Sequence, residues 1–144
     1  MKKITKDNLY YLIHWTWGFI TSFIGLCVYI PSKLLGCETY RYRKAICIVW
    51  PGSFGGCELG MFFVRGKNNP SVCAHEYGHS IQTLVLGPLM LFVVSIPSFL
   101  RYWYRKGYKK FTKKPCKTAY DDIWFEGQAT KLGNMANEGK WSWL

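Results

Sequence analysis

One short motif restricts the possible folds of this chain more than any other feature. Residues 75–79 read H-E-Y-G-H, which follows the pattern H-E-x-x-H. On a helix, positions i and i+4 share a face, so His75 and His79 can bind one ion. Glu76 would point away from that ion but reach a water beside it, where a general base belongs. The motif predicts a zinc site; the alternative is a capped helix start with surface histidines.

The motif stands at the start of a long apolar segment that continues to Leu100. Ionisable groups beside such an apolar segment cost free energy unless they bind a metal, form an ion pair or take part in catalysis. A second uncharged run covers residues 8–32. At 1.5 Å per residue, a helix of this length crosses about 30 Å of hydrocarbon. We therefore predict a multi-pass membrane protein with apolar helical segments over 9–31 and 82–100.

The charge of the chain suggests what it contacts. The formal net charge is +11, and 49% of the residues are hydrophobic. A basic balance can indicate nucleic acid, but no recognised nucleic-acid-binding motif accompanies it. Basic residues that flank apolar segments fit anionic lipid head groups better. We therefore expect membrane lipids as partners and no nucleic acid.

The motif also carries a resemblance. H-E-Y-G-H resembles the H-E-x-G-H signature of membrane-embedded zinc metallopeptidases, zincins in the broad sense. Together with Gln82, L-G-P-L at 86–89 and I-P-S at 96–98, it is similar to small uncharacterised bacterial membrane proteins. The resemblance implies a bacterial inner-membrane enzyme with Zn²⁺ as cofactor and Glu76 as general base. Its substrate would be a peptide or a membrane-protein segment.

A catalytic zinc site usually takes three protein ligands and keeps one position open. Glu126 is our predicted third ligand, because apolar neighbours would bury it and it resembles the glutamate ligand of the gluzincin branch. Asp122, Glu138 and His14 remain alternatives. Glu126 can reach the histidines only if the zinc-motif helix bends at Gly87-Pro88, or if the C-terminal helix re-enters the membrane.

The remaining segments complete the predicted fold. Residues 39–64 combine alternating β-favouring residues with turn signals, which indicates a short hairpin or sheet. A second span over 45–64 is the alternative, but Pro51 and four glycines make it a poor helix. The zincin resemblance implies that 59–64 holds an extended substrate at a sheet edge; plain packing is the alternative.

We therefore predict one domain over 1–144, a mainly α membrane protein. A transmembrane helix over 9–31 precedes the β segment. The zinc-motif helix follows over 72–100 and continues into the second apolar segment. An amphipathic C-terminal helix over 120–133 completes the chain.

The six cysteines form no C-x-x-C pair, which argues against a four-cysteine zinc site. Cys27 lies in an apolar run and is most simply a packing residue. Disulfides among Cys37, Cys47, Cys57 and Cys73 depend on the redox compartment, which the sequence does not decide.

Two other functions stay open beside a peptidase. One is a non-catalytic membrane protein with a structural or vestigial metal site. The other is a basic membrane adaptor. The intact Glu76 favours the peptidase, because a structural zinc needs no base beside its ligands.

Overall fold

The computed structural model describes residues 6–140, with only the backbone at 6 and 7. The predicted domain also included 1–5 and 141–144, which lie outside this range. The described helices and strands are α1 (Lys6–Trp15), α2 (Phe19–Leu34), β1 (Glu38–Tyr42), β2 (Ala45–Trp50), β3 (Gly56–Leu59), β4 (Phe62–Gly66), α3 (Cys73–Leu86), α4 (Ile96–Thr112) and α5 (Trp124–Asn137). Short 3₁₀ turns cover Pro70–Val72 and Tyr120–Asp122, and a π-helical turn covers Leu91–Ser95.

The four strands form one mixed sheet in the order β1-β2-β4-β3. β1 pairs with β2 and β3 pairs with β4 in antiparallel fashion, whereas β2 and β4 are parallel. The two central strands are the most apolar, and Cys47, Ile48 and Phe63 are fully buried on them. Continuous apolar runs are typical of strands that are covered on both faces.

The predicted hairpin over 39–64 therefore becomes a larger sheet. β3 and β4 do form a tight hairpin, whose turn places Gly60 at a φ of 71°. Residues 59–64 were predicted to be an edge strand, but β4 lies inside the sheet with a partner on each side. The edge next to the metal-motif helix belongs to β3 instead.

The predicted transmembrane helix over 9–31 is wrong. The run is divided into α1 and α2, which meet at 95°. Gly18 allows the bend, because a Cβ there would press on Thr83 and on the backbone of His14. The indole of Trp17 fixes the corner by donating a 3.1 Å hydrogen bond to the Val85 carbonyl oxygen.

The predicted class and location are also wrong. Helices contain most of the described residues, but a four-stranded mixed sheet contributes much of the core, so the fold is an α/β domain and not the predicted mainly α membrane protein. Within residues 6–140, no single helix is both long and apolar enough to cross a membrane. Only α1 and α2 together pass that test, as a sharply bent pair. These findings contradict the prediction of a multi-pass membrane protein in a bacterial inner membrane.

The segment predicted as one helix over 72–100 is also interrupted. α3 ends at Leu86, and Gly87 follows with a φ of 53°, which favours glycine. The Trp17 ring lies where a side chain at Gly87 would stand. The chain therefore turns at the predicted Gly87-Pro88 bend, and α4 begins only at Ile96.

Candidate metal centre

The close crossing of α3 and α5 builds the site. Two glycines make the crossing possible, one on each helix. A Cβ at Gly78 would overlap the carbonyl group of Ala129, and a Cβ at Gly133 would overlap that of Ala74. Because the backbones touch at these points, the first turn of α5 lies directly over the histidine face of α3. This packing places Glu126 beside the motif.

Three potential ligand atoms meet at the crossing. Glu126 Oε2 lies 3.0 Å from His75 Nε2 and 3.2 Å from His79 Nε2. The two Nε2 atoms lie 3.1 Å apart. His75, His79 and Glu126 therefore form a group that could hold a metal ion. The structure brings together the three ligands that the sequence predicted.

The size of this triangle suits a small cation. The corners of an equilateral triangle with 3.1 Å sides lie about 1.8 Å from its centre. An ion with bonds of about 2.0–2.1 Å to nitrogen and oxygen can therefore contact all three atoms from slightly outside their plane. Glu126 Oε1 is buried and has no hydrogen-bond partner among the described residues, so the carboxylate has unused acceptor capacity. The donor set fits a divalent metal.

A hydrogen-bond chain orients His75. Thr130 Oγ1 donates to Asp121 Oδ2 at 2.9 Å, which leaves its oxygen to accept from His75 Nδ1 at 2.8 Å. If Nδ1 carries the proton, the neutral ring has its lone pair on Nε2, which faces the site. Such outer partners commonly fix the tautomer and angle of metal-binding histidines.

Gln82 does the same for His79. The Gln82 side-chain amide donates to the Phe125 carbonyl oxygen and to Gln128 Oε1, both at 2.9 Å. Its own Oε1 is thereby turned towards His79 Nδ1 at 2.7 Å. An oxygen at that distance accepts the proton on Nδ1, so Nε2 is the nitrogen through which His79 would bind a metal.

The charges at the site depend on one another. Burial alone would raise the pKa of Glu126, but hydrogen bonds with His75 and His79 hold it well below its usual range. Burial would likewise lower the pKa of His79, yet Glu126 and Glu76 raise it to about 9. A negative Glu126 carboxylate and a proton-attracting His79 imidazole mark a position that favours a cation.

Glu76 is buried next to the ligands, on the side of β3. Burial raises its pKa, and the nearby His79 and His75 oppose part of that rise. Gly56 on β3 approaches it so closely that a Cβ there would overlap the Glu76 carboxyl group. The edge strand therefore holds the position of Glu76.

Gly56→Ala should displace Glu76 and leave the metal ligands untouched. For the general-base role that the sequence predicts for Glu76, we expect a loss in kcat/KM of up to about a hundredfold, since small misplacements of catalytic groups have effects of that size. Metal content should stay at the parental level. Gly107→Ala is the matched control, because a Cβ there meets no atom within 4 Å. Equal activities of the two variants would contradict this role for Gly56.

The alternative ligands lie elsewhere. His14 is fully buried between Ser22 Oγ and Ser80 Oγ, each 3.3 Å away, and burial lowers its pKa to about 3. Asp122 accepts a hydrogen bond from the Ala119 amide at 2.8 Å and closes the turn before α5. Glu138 is exposed and pairs with Lys140. None of the three belongs to the metal-binding group.

The sequence analysis assigned no role to several groups at the site. Gln82 was detectable, because it follows His79 by three positions and shares its helix face. Thr130 and Asp121 carry no local signal of their contact with His75. Tyr120 was also missed; its ring centroid lies 6.2 Å from that of His75, and burial raises its pKa to about 12. Tyr120 therefore keeps its proton near neutral pH.

Glu58 is another missed group, behind His79. Its Oε1 accepts hydrogen bonds from Thr83 Oγ1 at 2.7 Å and from the Gly60 amide at 2.6 Å. Its Oε2 is buried without a partner among the described residues. Burial raises the pKa of Glu58 to about 8, although both hydrogen bonds oppose that rise.

The raised pKa of Glu58 makes stability depend on pH. Between pH 4.5 and about 8, folded Glu58 keeps a proton that the unfolded chain releases, so raising the pH in this window favours unfolding. This slope is at most ~1.4 kcal/mol per pH unit. We expect Glu58→Gln to remove it, as measured by thermal unfolding of the metal-free protein from pH 5 to 8. Glu138→Gln should keep the parental slope. Parallel Tm profiles for parent and Glu58→Gln would contradict the assignment.

The cysteines take no part in the metal-binding group. All six thiols are free. Cys47 and Cys73 are buried and hydrogen-bond to each other, and Cys73 Sγ lies 3.4 Å from the Tyr40 hydroxyl. Cys27, predicted to be a packing residue, is exposed on α2.

Comparison with known proteins adds no relative. No protein-family model matches the chain, and neither do the curated proteins or the solved structures.

Proposed function

We propose that this protein is a zinc-dependent peptidase. The observation that carries the proposal is the meeting of Glu126 with His75 and His79, beside a buried Glu76 that is not one of the three ligands. Two imidazoles and one carboxylate suit zinc, and three protein ligands leave a position for water or substrate. His75 is 19% exposed at its side chain, so the site is accessible from that side.

The residues of the chain divide the chemistry among them. Zinc held by His75, His79 and Glu126 would supply Lewis acidity for polarising a scissile carbonyl and lowering the pKa of a bound water. Glu76 accepts the proton of the attacking water and passes it to the leaving amine. Burial raises the pKa of Glu76, so its carboxylate is a stronger base than that of an exposed glutamate. Tyr120 offers a neutral hydroxyl group beside His75 as a hydrogen-bond donor.

The edge of the sheet offers a place for the peptide. β3 is the terminal strand of the sheet, and its first residue, Gly56, borders Glu76. An extended peptide can add to such an edge through main-chain hydrogen bonds. A peptide on β3 would pass the general base, which supports a peptide bond as the target.

Glu76 also favours a peptidase over a purely structural metal site. Burying a carboxylate beside other charges is costly unless it has a role. The hydrogen bonds that orient both histidines come from Thr130 and Gln82, so ligand orientation does not depend on Glu76.

Metal analysis and peptide cleavage test this proposal together. Metal-free protein should take up about one zinc ion per chain. It should then cleave members of a peptide library, as detected by mass spectrometry. A chelator should stop cleavage, and added zinc should restore it. His75→Ala should lose both zinc and activity. Stoichiometric zinc without cleavage of any peptide would indicate a structural site, and failure to bind zinc would reject the proposal.

A further inference from the structure

A basic cavity lies near the metal centre, between α4 and the segment that leads into the Tyr120–Asp122 turn. Its volume is about 220 Å³. Its walls carry the side chains of Arg101, Arg105, Lys117 and Thr118, and none of the lining residues is acidic. This volume holds several water molecules or a small anionic group.

Contacts with the Tyr120 segment fix the two arginines. They are one helical turn apart on α4, and each guanidinium carbon lies 5.8 Å from the centroid of the Tyr120 ring. Arg101 Nη2 donates to the carbonyl oxygens of Ala119 and Tyr120 at 3.0 and 3.1 Å. Arg105 Nη1 donates to Thr118 Oγ1 at 3.4 Å. Two like charges at this spacing repel each other, and the contacts with the Tyr120 segment hold them in place despite that repulsion. The two arginines are therefore already positioned to bind one anion together.

Arg101, one of the residues that line the cavity, also has an unsatisfied donor. Arg101 Nε is buried and has no hydrogen-bond partner within residues 6–140. In the same range, no carboxylate forms an ion pair with Arg101, Arg105 or Lys117. Buried donors are nearly always paired, so a lone one needs an explanation. Three positive charges and one free donor match an oxyanion, which arginine binds well through its planar fork.

Tyr120 connects this cavity with the metal centre. The Arg101 guanidinium carbon lies 5.8 Å from the centroid of the Tyr120 ring. That centroid lies 6.2 Å from the centroid of the His75 ring. The Arg101 guanidinium and the His75 ring are therefore at most about 12 Å apart. An extended peptide advances about 3.3 Å per residue. No more than about four residues are therefore needed to cover this distance.

We propose that the cavity binds an acidic side chain of the substrate peptide, within about four residues of the scissile bond. The inference rests on the proposed peptidase function and specifies its substrate class. The ligand group is a carboxylate. It reaches the arginines when the peptide lies across the metal centre and extends past Tyr120.

The first test compares peptides that differ in one charge. Peptides from the cleaved set are made with Asp or Asn at each of the positions up to about four residues from the cut, on both sides. At one of these positions the Asp peptide should have a KM about tenfold lower, as expected for one charge-assisted contact. Arg105→Gln should abolish that preference.

Lys106→Gln is the matched control. It removes the same charge from the next residue of α4, but Lys106 lies over the rings of Trp103 and Tyr102 instead of lining the cavity. It should therefore keep the preference for Asp. Lys117→Gln is a second cavity variant at an exposed position, where folding is not at risk. It should weaken the preference.

A binding experiment distinguishes a failure of this inference from a failure of the peptidase function on which it rests. Glu76→Gln protein is titrated with a short fluorescein-labelled peptide carrying a single Asp, and with its Asn twin. Tighter binding of the Asp peptide that Arg105→Gln removes would support the cavity even if nothing were cleaved. Cleavage without any Asp preference, together with equal binding of the twins, would overturn the inference and leave the peptidase intact. Binding of inorganic phosphate, but not of the Asp peptide, would assign the cavity to a phosphate ligand and overturn it too.

Discussion

Glu76→Gln should retain the metal and lose peptide hydrolysis by roughly 10²–10⁴-fold, the usual effect of a missing general base. Glutamine has nearly the same size as glutamate but cannot accept a proton at its amide. Residues His75, His79 and Glu126 are unchanged in this variant, so zinc content should match the parent. Burial already raises the pKa of Glu76, so a neutral side chain there should not weaken the fold.

The measurement combines zinc content, a thermal unfolding curve and turnover of one peptide from the cleaved set. His75→Ala provides the contrast, because it removes a ligand and should lose metal and turnover together. A Glu76→Gln protein as active as the parent would eliminate the proposed mechanism even with zinc bound. Equal loss of zinc in both variants would mean that Glu76 only supports the histidines.

The three candidate metal ligands differ in how far the sequence alone could predict them. His75 and His79 follow from helical periodicity alone, since four residues bring a side chain back to the same face. Glu126 depends on how α5 packs against α3, more than forty residues away. The crossing relies on Gly78 and Gly133, and nothing in the sequence states that these two glycines belong to one interface. Apolar neighbours and the resemblance pointed to Glu126, but only the packing explains its position.

The membrane prediction failed because hydropathy measures the length of an apolar run and not its path. Gly18 and the buried His14 bend the first run onto α3, and Gly87 ends the helix of the second. The apolar character is only partly explained by burial. Phe23 on α2 is 49% exposed, and Phe99 on α4 is 59% exposed. A sequence window cannot distinguish a straight helix from two short ones with a similar surface.

The parallel pairing of β2 with β4 was also beyond the sequence. Turn signals at Pro51 and the following glycines favoured a simple hairpin between neighbouring strands. In the structure, β3 takes the edge position, so β2 meets β4 in parallel. This exchange matters for the site, because it places Gly56 rather than residues 62–64 beside Glu76.

Glu126→Gln should reduce zinc affinity by more than about a hundredfold, because even partners outside the ligand set commonly cost 10–100-fold. An amide oxygen carries no charge, and the variant removes the anion that attracts the metal to the two imidazoles. Zinc content after gel filtration, and titration against a competing chelator, give the affinity.

Glu138→Gln is the matched control for this change. It makes the same substitution on the residue after the C-terminal end of α5, where Glu138 is exposed and pairs with Lys140. It should bind zinc like the parent, because Glu138 does not belong to the metal-binding group. Both variants should be folded at the temperature of the assay, as checked by thermal unfolding without metal. Undiminished zinc affinity in Glu126→Gln would show that the α3–α5 crossing does not supply the third ligand. A loss confined to Glu126→Gln would assign that ligand to α5, where the close contacts at Gly78 and Gly133 place it.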